Sequence, residues 1–531
     1  MFYFVPSWYK NQSELLFDDT VNQIKMFYAS GEIPKIVMLN YAPQLPFLLH
    51  QQELFEIDYW SAFDEIQMTN HVNDKLLNIA DFSWPKDAEF IYTPFNVNVM
   101  SQNTLFAQIS FGTGGYITAI DFYDKLQISK RIMIDVRGFV SSIIYFEQGQ
   151  PRYQDYLSPA GVWQIRQNFG NEIFKIEVNT AVINRFKQPV YVNMDELLSE
   201  VVDNYFNRQQ KSENDALIIA ADMRHNKLLL HLHCRPDKVV LSLFKDRFPY
   251  AENMIAFLDE LKFVSLVVVD TQEKVTQITK QLVAYQYPKQ ETVGRIAHLS
   301  PYDTRFELGR SQQSRNLDVL IKASQFSESE KNSMNDILDY MLNNVSVKLF
   351  IATNNQNKNE WDNYIRQYLS IYFHVTEETM TSWLTENSDD TAENSINKAP
   401  LDDVDLNTVS AKFIYQRISI NVFSDENKII KLFEHIRLII DLNPFPDVFI
   451  QIAGISAGIP QINMSISDYV ENRKNGFVID ENNTLNDALD FYLKGLKNWN
   501  EALIYSVKKI EKYNSGAIVN QWQEMLGNHY A

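Results

Sequence analysis

The sequence predicts an α/β protein made of two parallel-sheet domains, the first interrupted by an antiparallel, β-rich insertion. Three observations predict it. Short apolar strands alternate with amphipathic helices over residues 1–104. Between 105 and 192 the alternation gives way to β-patterned runs separated by turn signals. From 193 the strand–helix alternation returns and continues to the end, as expected when helices cover both faces of parallel sheets.

Phe2–Val5 is a short apolar strand, Asp18–Tyr28 a helix with Val21, Ile24, Phe27 and Tyr28 at helical spacing, and Lys35–Asn40 the next strand. The insertion follows, with FGTGG, FEQGQP, LSPAG and NFGN as turns between runs rich in Ile, Val, Phe and Tyr. Met194–Asn207 reads as a helix, Ala216–Ala221 as a strand, and Lys227–Cys234 and Lys238–Leu243 as further strands. Glu252–Leu261 and Glu273–Ala284 read as helices around the strand Val264–Val269. Pro288 and Gly294 mark a boundary. The domains expected are therefore 1–104 with 193–287, the insertion 105–192, and a second domain 288–531. In the last, strands are expected at Arg295–Leu299, Val345–Ile351, Phe373–Val375, Ile418–Val422, Asp447–Ile450, Gln461–Met464 and Phe477–Val478. Helices are expected at Leu317–Ala323, Lys331–Leu342, Asp362–Tyr368, Asn427–Asp441 and Thr484–Lys512.

Composition narrows the function. Of 531 residues, 48 are Lys or Arg and 67 Asp or Glu, a net charge of −19. Such a field repels phosphate backbones, so no nucleic-acid partner is expected. Only 16 residues are glycine, about half the usual share, so few loops can cradle phosphates. The single cysteine, Cys234, excludes an internal disulfide and any CxxC metal site. MFYFVPSWYK reads as a first strand, and no apolar run approaches the ~18 residues of a membrane span. Charge is uneven. Residues 125–187 hold nine basic and five acidic residues, while 377–405 hold nine acids and one lysine. The acidic stretch reads as a solvated segment.

Four local motifs carry little. Residues 454–458 spell GISAG, but Gly458 and Pro460 leave no room for the helix that must follow a nucleophile elbow. GTGG at 112–115 fits a hairpin turn. His231 and His233 would share one strand face, without a third metal ligand. Asp403 and Asp405 sit in the acidic stretch with no strand before them. No metal and no cofactor are expected.

The run Asp447–Asn463 (DVFIQIAGISAGIPQIN) resembles the short helix, A-x-G-x-P and strand of retaining GT-B glycosyltransferases. Asn475-Gly476-Phe477-Val478 resembles their next glycine turn, and the tail from Thr484 their closing helices. Leu308–Ala323 resembles their strand-to-helix junction, where two cations clamp the donor diphosphate. Here the pair is Arg310 and Arg315. The resemblance implies a GT-B-like fold, two Rossmann-like domains facing a cleft, and ligand-cleft candidates Arg310, Arg315, Gly458 and Gly476. Two glutamates of those enzymes fall, by counting back from Pro460, on Ala453 and Phe445, neither of which carries charge. No catalytic residue carries over.

Across its full length, through MFYFVPSWYK, FDDTVNQIKMF, YLSPAGVWQIRQ and SPYDTRFELGRSQQ, the chain resembles the first of the Asp proteins of the accessory Sec system. That resemblance implies a non-catalytic, cytoplasmic scaffold for export of a glycosylated serine-rich-repeat adhesin. It would act with the second and third Asp proteins and the accessory Sec motor ATPase, and could bind carbohydrate. The alternative is an active GT-B glycosyltransferase modifying the adhesin. The local positive charge adds an expectation of peripheral contact with anionic lipid at the inner face of the cell membrane, through Lys125, Lys130, Arg131 and Arg137.

Overall fold

A computed structural model describes residues 1–9, 18–69, 75–170, 173, 175–285, 295–314, 316–376, 406–422 and 426–527. The boundary around 286–294, the acidic stretch with Asp403 and Asp405, and Arg315 lie outside the described residues. The chain divides into two compact units, Met1–Pro301 with the residues from Gln521 onward, and Tyr302–Asn520.

The first unit begins with β1 (Phe2–Val5), β2 (Pro34–Met38) and β3 (Asp58–Ser61). Between β1 and β2 runs the helix Asp19–Ala29, opened by Asp18, whose carboxylate accepts from the Val21 amide and thereby fills an otherwise empty backbone donor. An antiparallel sheet of ten strands follows, β4 to β13, the first Glu89–Tyr92 and the last Val190–Tyr191. It starts earlier than the turn pattern alone indicated. GTGG forms its hairpin between Thr104–Phe111 and Ile117–Asp124. Then come β14 (Ala216–Ala220), β15 (Lys238–Leu243), β16 (Leu266–Val269) and β17 (Arg295–His298), all parallel, in the order β17-β16-β15-β14-β1-β2-β3. β1, β14 and β16 are buried along their whole length, as expected of strands covered on both faces. β17, grouped above with the second series, pairs with β16 and completes this sheet. The end of the last helix (Ser515–Met525), from Gln521, belongs here: Trp522 is fully buried, with its ring 5.9 Å from that of Phe27.

The second unit has six parallel strands, β18 (Leu317–Lys322), β19 (Val347–Thr353), β20 (Ile418–Val422), β21 (Ile436–Asp441), β22 (Gln461–Asn463) and β23 (Gly476–Val478). Their order is β20-β19-β18-β21-β22-β23. Its core gathers Trp361, Ile365 and Leu369 of the helix Lys358–Phe373 against β18, β19 and β21.

Several expectations are corrected. Leu317–Ala323 is a central strand, because the run DVLI is buried on both faces. Asn427–Asp441 splits into the helix Glu426–Phe433 and β21. Asp447–Ile450 opens a helix, and Phe373–Val375 closes one, with His374 left-handed. Lys227–Cys234 begins inside the short helix Asn226–Leu230. Apart from Asn427–Asp441, a longer mixed run, each was a short run that suited either a strand or part of a helix, and tertiary covering decided.

Candidate functional site

In doubly wound sheets, ligands bind beyond the carboxyl ends of the strands where the strand order reverses. In the second unit that point lies between β18 and β21. β18 ends in Lys322 and β21 in Asp441. Lys322 Nζ lies 2.5 Å from a carboxylate oxygen of Asp447. The other oxygen of Asp447 accepts from the amides of Phe449 (2.9 Å) and Ile450 (3.3 Å) and so caps the helix Val448–Ala457. Asp441, 1% exposed, accepts from the Asp447 amide at 2.8 Å and the Asn443 side chain at 2.7 Å. Burial pushes the Asp441 carboxyl up against the opposing pull of Lys322. Burial would lower Lys322, but Asp447 and Asp441 outweigh it and raise it. A helix N-terminus that could receive an anionic ligand is thus already occupied by the chain's own carboxylate.

The first unit reverses between β1 and β14. Beyond β1, Ser7 donates to Asp222, and Tyr9 shares a 2.9 Å hydrogen bond with His225 Nδ1. Beyond β14, Asp222 takes Arg224 at 2.6 Å, and Arg224 lies over the Tyr9 ring at 4.0 Å. Burial opposes ionisation of Asp222, yet the bonds from Arg224 and Ser7 hold its pKa well below the usual range. His225 is 1% exposed, with Nε2 2.8 Å from Ala220 O, and burial drops its pKa to about 4. Beside it Arg247 binds Asp19 at 2.7 Å and the carbonyls of Ala221 and Ser242. Burial would raise Asp19; Arg247 overrides it and lowers the pKa. Neighbouring Asp18 is raised by burial and by the charge of Asp19.

The residues singled out from sequence are scattered relative to these clusters. Arg310 opens a short 3₁₀ turn, 47% exposed, and is held by Glu307 and, at 2.7 Å, by Glu434. Gly458 ends the helix Val448–Ala457 with φ 73°. Gly476 starts β23, where a Cβ would lie 2.5 Å from the Gln461 carbonyl oxygen. Both glycines serve close chain packing. Phe445 is 73% exposed in the loop after β21, and Ala453 is buried within the helix. Ser456 is buried and bonded to the Phe306 backbone, which removes it as a nucleophile. His231 ends the short helix, bonded to Lys227 O, so it shares no strand face with His233. Among the described residues no group of three His, Cys, Asp or Glu could hold a metal.

The basic cluster separates too. Arg137 is half-buried between Asp64 (2.7 Å) and Asp135 (2.8 Å). Arg131 forms a two-point pair with Asp121. Lys130 lies 4.5 Å over the Phe122 ring. Lys125 stands at the tip of a two-residue hairpin beside Leu126, both with positive φ. Among the described residues, no helix is long and apolar enough to cross a membrane.

Sequence reasoning missed Lys322, Asp441 and Asp447, and likewise Asp19, Asp222, His225 and Arg247. A polar residue directly after an apolar strand is the available signal. It was strongest at Asp441, which closes IRLIID.

A family model describing the first Asp protein of the accessory Sec system matches residues 2–529. The chain is 33% identical over 544 residues to that accessory Sec system protein from Streptococcus gordonii, covering 99% of each. It superimposes with TM-score 0.78 and 30% identity on a chain of the glycosylation associate protein (Gap123) complex of Streptococcus agalactiae, covering 99% of this chain and 100% of that one. A structure of accessory secretory protein 1, 2 and 3 of Streptococcus pneumoniae gives TM-score 0.76 at 29% identity, covering 99% of both. The pneumococcal O-GlcNAc transferase GtfA gives TM-score 0.68 at 9% identity, covering 99% of this chain and 98% of that one, a likeness of fold alone. The fold is that of GT-B glycosyltransferases, as the sequence predicted.

Proposed function

The chain belongs to the family of the first Asp protein of the accessory Sec system, and from that premise we propose that it serves secretion as a non-catalytic GT-B body. The carrying observation is the Lys322–Asp447 pair at the strand reversal of the second sheet. A sugar-nucleotide diphosphate reaching the helix Val448–Ala457 would meet the Asp447 carboxylate and compete with it for both amides. The substitutions at Phe445 and Ala453 support the same reading, because neither side chain can hold a ribose hydroxyl. So does Arg310, whose charge is already balanced by two glutamates.

The partners proposed are the second and third Asp proteins, in keeping with the three-protein complexes named for its relatives. The accessory motor ATPase and the glycosylated adhesin complete the set. The protein works in the cytoplasm, with lipid contact confined to the Lys125–Leu126 hairpin.

The test is turnover. Incubation with UDP-sugars and either the adhesin repeat or water should release no UDP above background. UDP release that disappears in Lys322→Ala overturns the non-catalytic reading and restores an active glycosyltransferase.

A further inference from the structure

The first unit holds a cavity of about 380 Å³ that uses none of the residues at the carboxyl edge of its sheet. Its walls come from the helix Ala62–Gln67, the 3₁₀ segment Thr180–Arg185 and the helix Met194–Arg208. Arg185 enters from one side. Its guanidinium donates to Glu65 O at 2.6 Å, Ile66 O at 3.1 Å and Gln164 Oε1 at 2.8 Å, and to no carboxylate among the described residues. It therefore neutralises only the partial charge of a helix end. Arg208 enters from the other side, with Nε on Asn204 O and Nη2 3.0 Å from Glu65 Oε1. Two guanidinium groups face one carboxylate, leaving a net positive lining in a chain of net charge −19.

The lining is also rich in spare donors. Arg185 Nε, Arg208 Nη1 and the side-chain amides of Asn204 and Asn207 donate to no other described residue. Ile66, Phe186 and Val201 supply an apolar wall. The volume lies at the small end of ligand pockets. Donors converging from two forks suit a phosphate monoester, whose three terminal oxygens accept more bonds than the two of a carboxylate.

We propose that this cavity binds a small organic phosphate, its oxygens between Arg185 and Arg208 and its carbon body against Phe186 and Val201. Calorimetric titration of the full chain tests this, with glucose 1-phosphate as probe and inorganic phosphate, glucose and glucuronate as comparisons. Glucose 1-phosphate should bind, inorganic phosphate more weakly, and glucose not at all. Arg208→Gln should weaken the sugar phosphate about tenfold, the scale of one charge-assisted hydrogen bond, with an unchanged melting temperature because the side chain is 54% exposed. Asn204→Leu should weaken it in the same direction. Equal affinity in wild type and Arg208→Gln overturns the proposal, as does binding of glucose as tight as that of its phosphate. Tighter binding of glucuronate than of glucose 1-phosphate overturns the assignment to phosphate.

Discussion

The carboxyl edges of the two parallel sheets solve one problem in two ways. Each gathers charged side chains where a GT-B fold would place ligands, and each satisfies those charges from within the chain. In the first unit the pair Arg247–Asp19 is almost wholly withdrawn from water, with side chains 17% and 2% exposed. In the second, Lys322 and Asp447 remain partly wet, at 22% and 35%. A buried pair is destabilising when broken, because one charge is left without solvent or partner. A wetter pair holds its place more by capping and geometry than by Coulomb attraction. The first edge is thus a structural lock, while the second blocks a helix end yet stays near solvent.

Breaking the lock should give the largest effect. Arg247→Met leaves Asp19 buried and unpaired, so unfolding by denaturant should show a loss of about 3–5 kcal/mol. A loss below about 1 kcal/mol would erase the contrast between the two edges.

Acid should act on the first edge next. His225 faces Asp222, Tyr9, Arg224 and Arg247. Its folded pKa of about 4 lies below the ordinary value of about 6.5, so between the two the unfolded chain binds the extra proton. Its contribution is complete above pH 6.5 and is lost as the pH falls toward 4, by about 3 kcal/mol at the limit. Comparing wild type with His225→Gln across that range isolates the effect. Parallel pH profiles would show that the imidazole binds its proton equally in the folded and unfolded chain.

At the second edge, Asp447→Ala removes the helix cap and the Lys322 partner together. A stability loss of about 1–2 kcal/mol is expected, mostly from the cap. The same variant sharpens the comparison functionally. Freed of its carboxylate, the helix end should gain measurable affinity for UDP, read by calorimetry, and a variant as inert as wild type would show that something else closes the site.

The smallest effect concerns the hairpin tip. Lys125→Glu with Leu126→Ser should reduce flotation with anionic liposomes, since one lysine near such a surface contributes only about 1 kcal/mol. Arg137→Lys, by contrast, should leave flotation unchanged because Arg137 is turned inward to Asp64 and Asp135. The reverse pattern would return the contact to the basic cluster.

Legibility followed the same division. The βαβ opening was plain because the helix after Asp18 has a clear helical spacing, while Phe2–Val5 before it is too short an apolar run for anything but a strand. The hairpin at GTGG was equally plain. β18 was misread because DVLI, buried on both faces, carries no period at all. The clusters were out of reach for another reason. Arg247 and Asp19 are 228 positions apart, and Lys322 and Asp447 are 125 apart. Only the folded sheet brings strand ends together, so sequence offers the residue types without their pairing. The same limit applied to Arg131 and Arg137, read as a positive patch while their counter-charges lay on a neighbouring strand and a distant helix.

Trp522 packs into the first unit against Phe27, although nearly five hundred residues separate them. During synthesis the ribosome delivers the Phe27 region first. At about 5–20 residues per second it needs roughly half a minute or more to supply the tryptophan. Through that interval the emerging domain exposes an apolar seat that its own sequence has not yet filled. The seat is a natural foothold for a holdase. A chain truncated before Gln521 should consequently accumulate bound to chaperones even though every strand of both parallel sheets has been made.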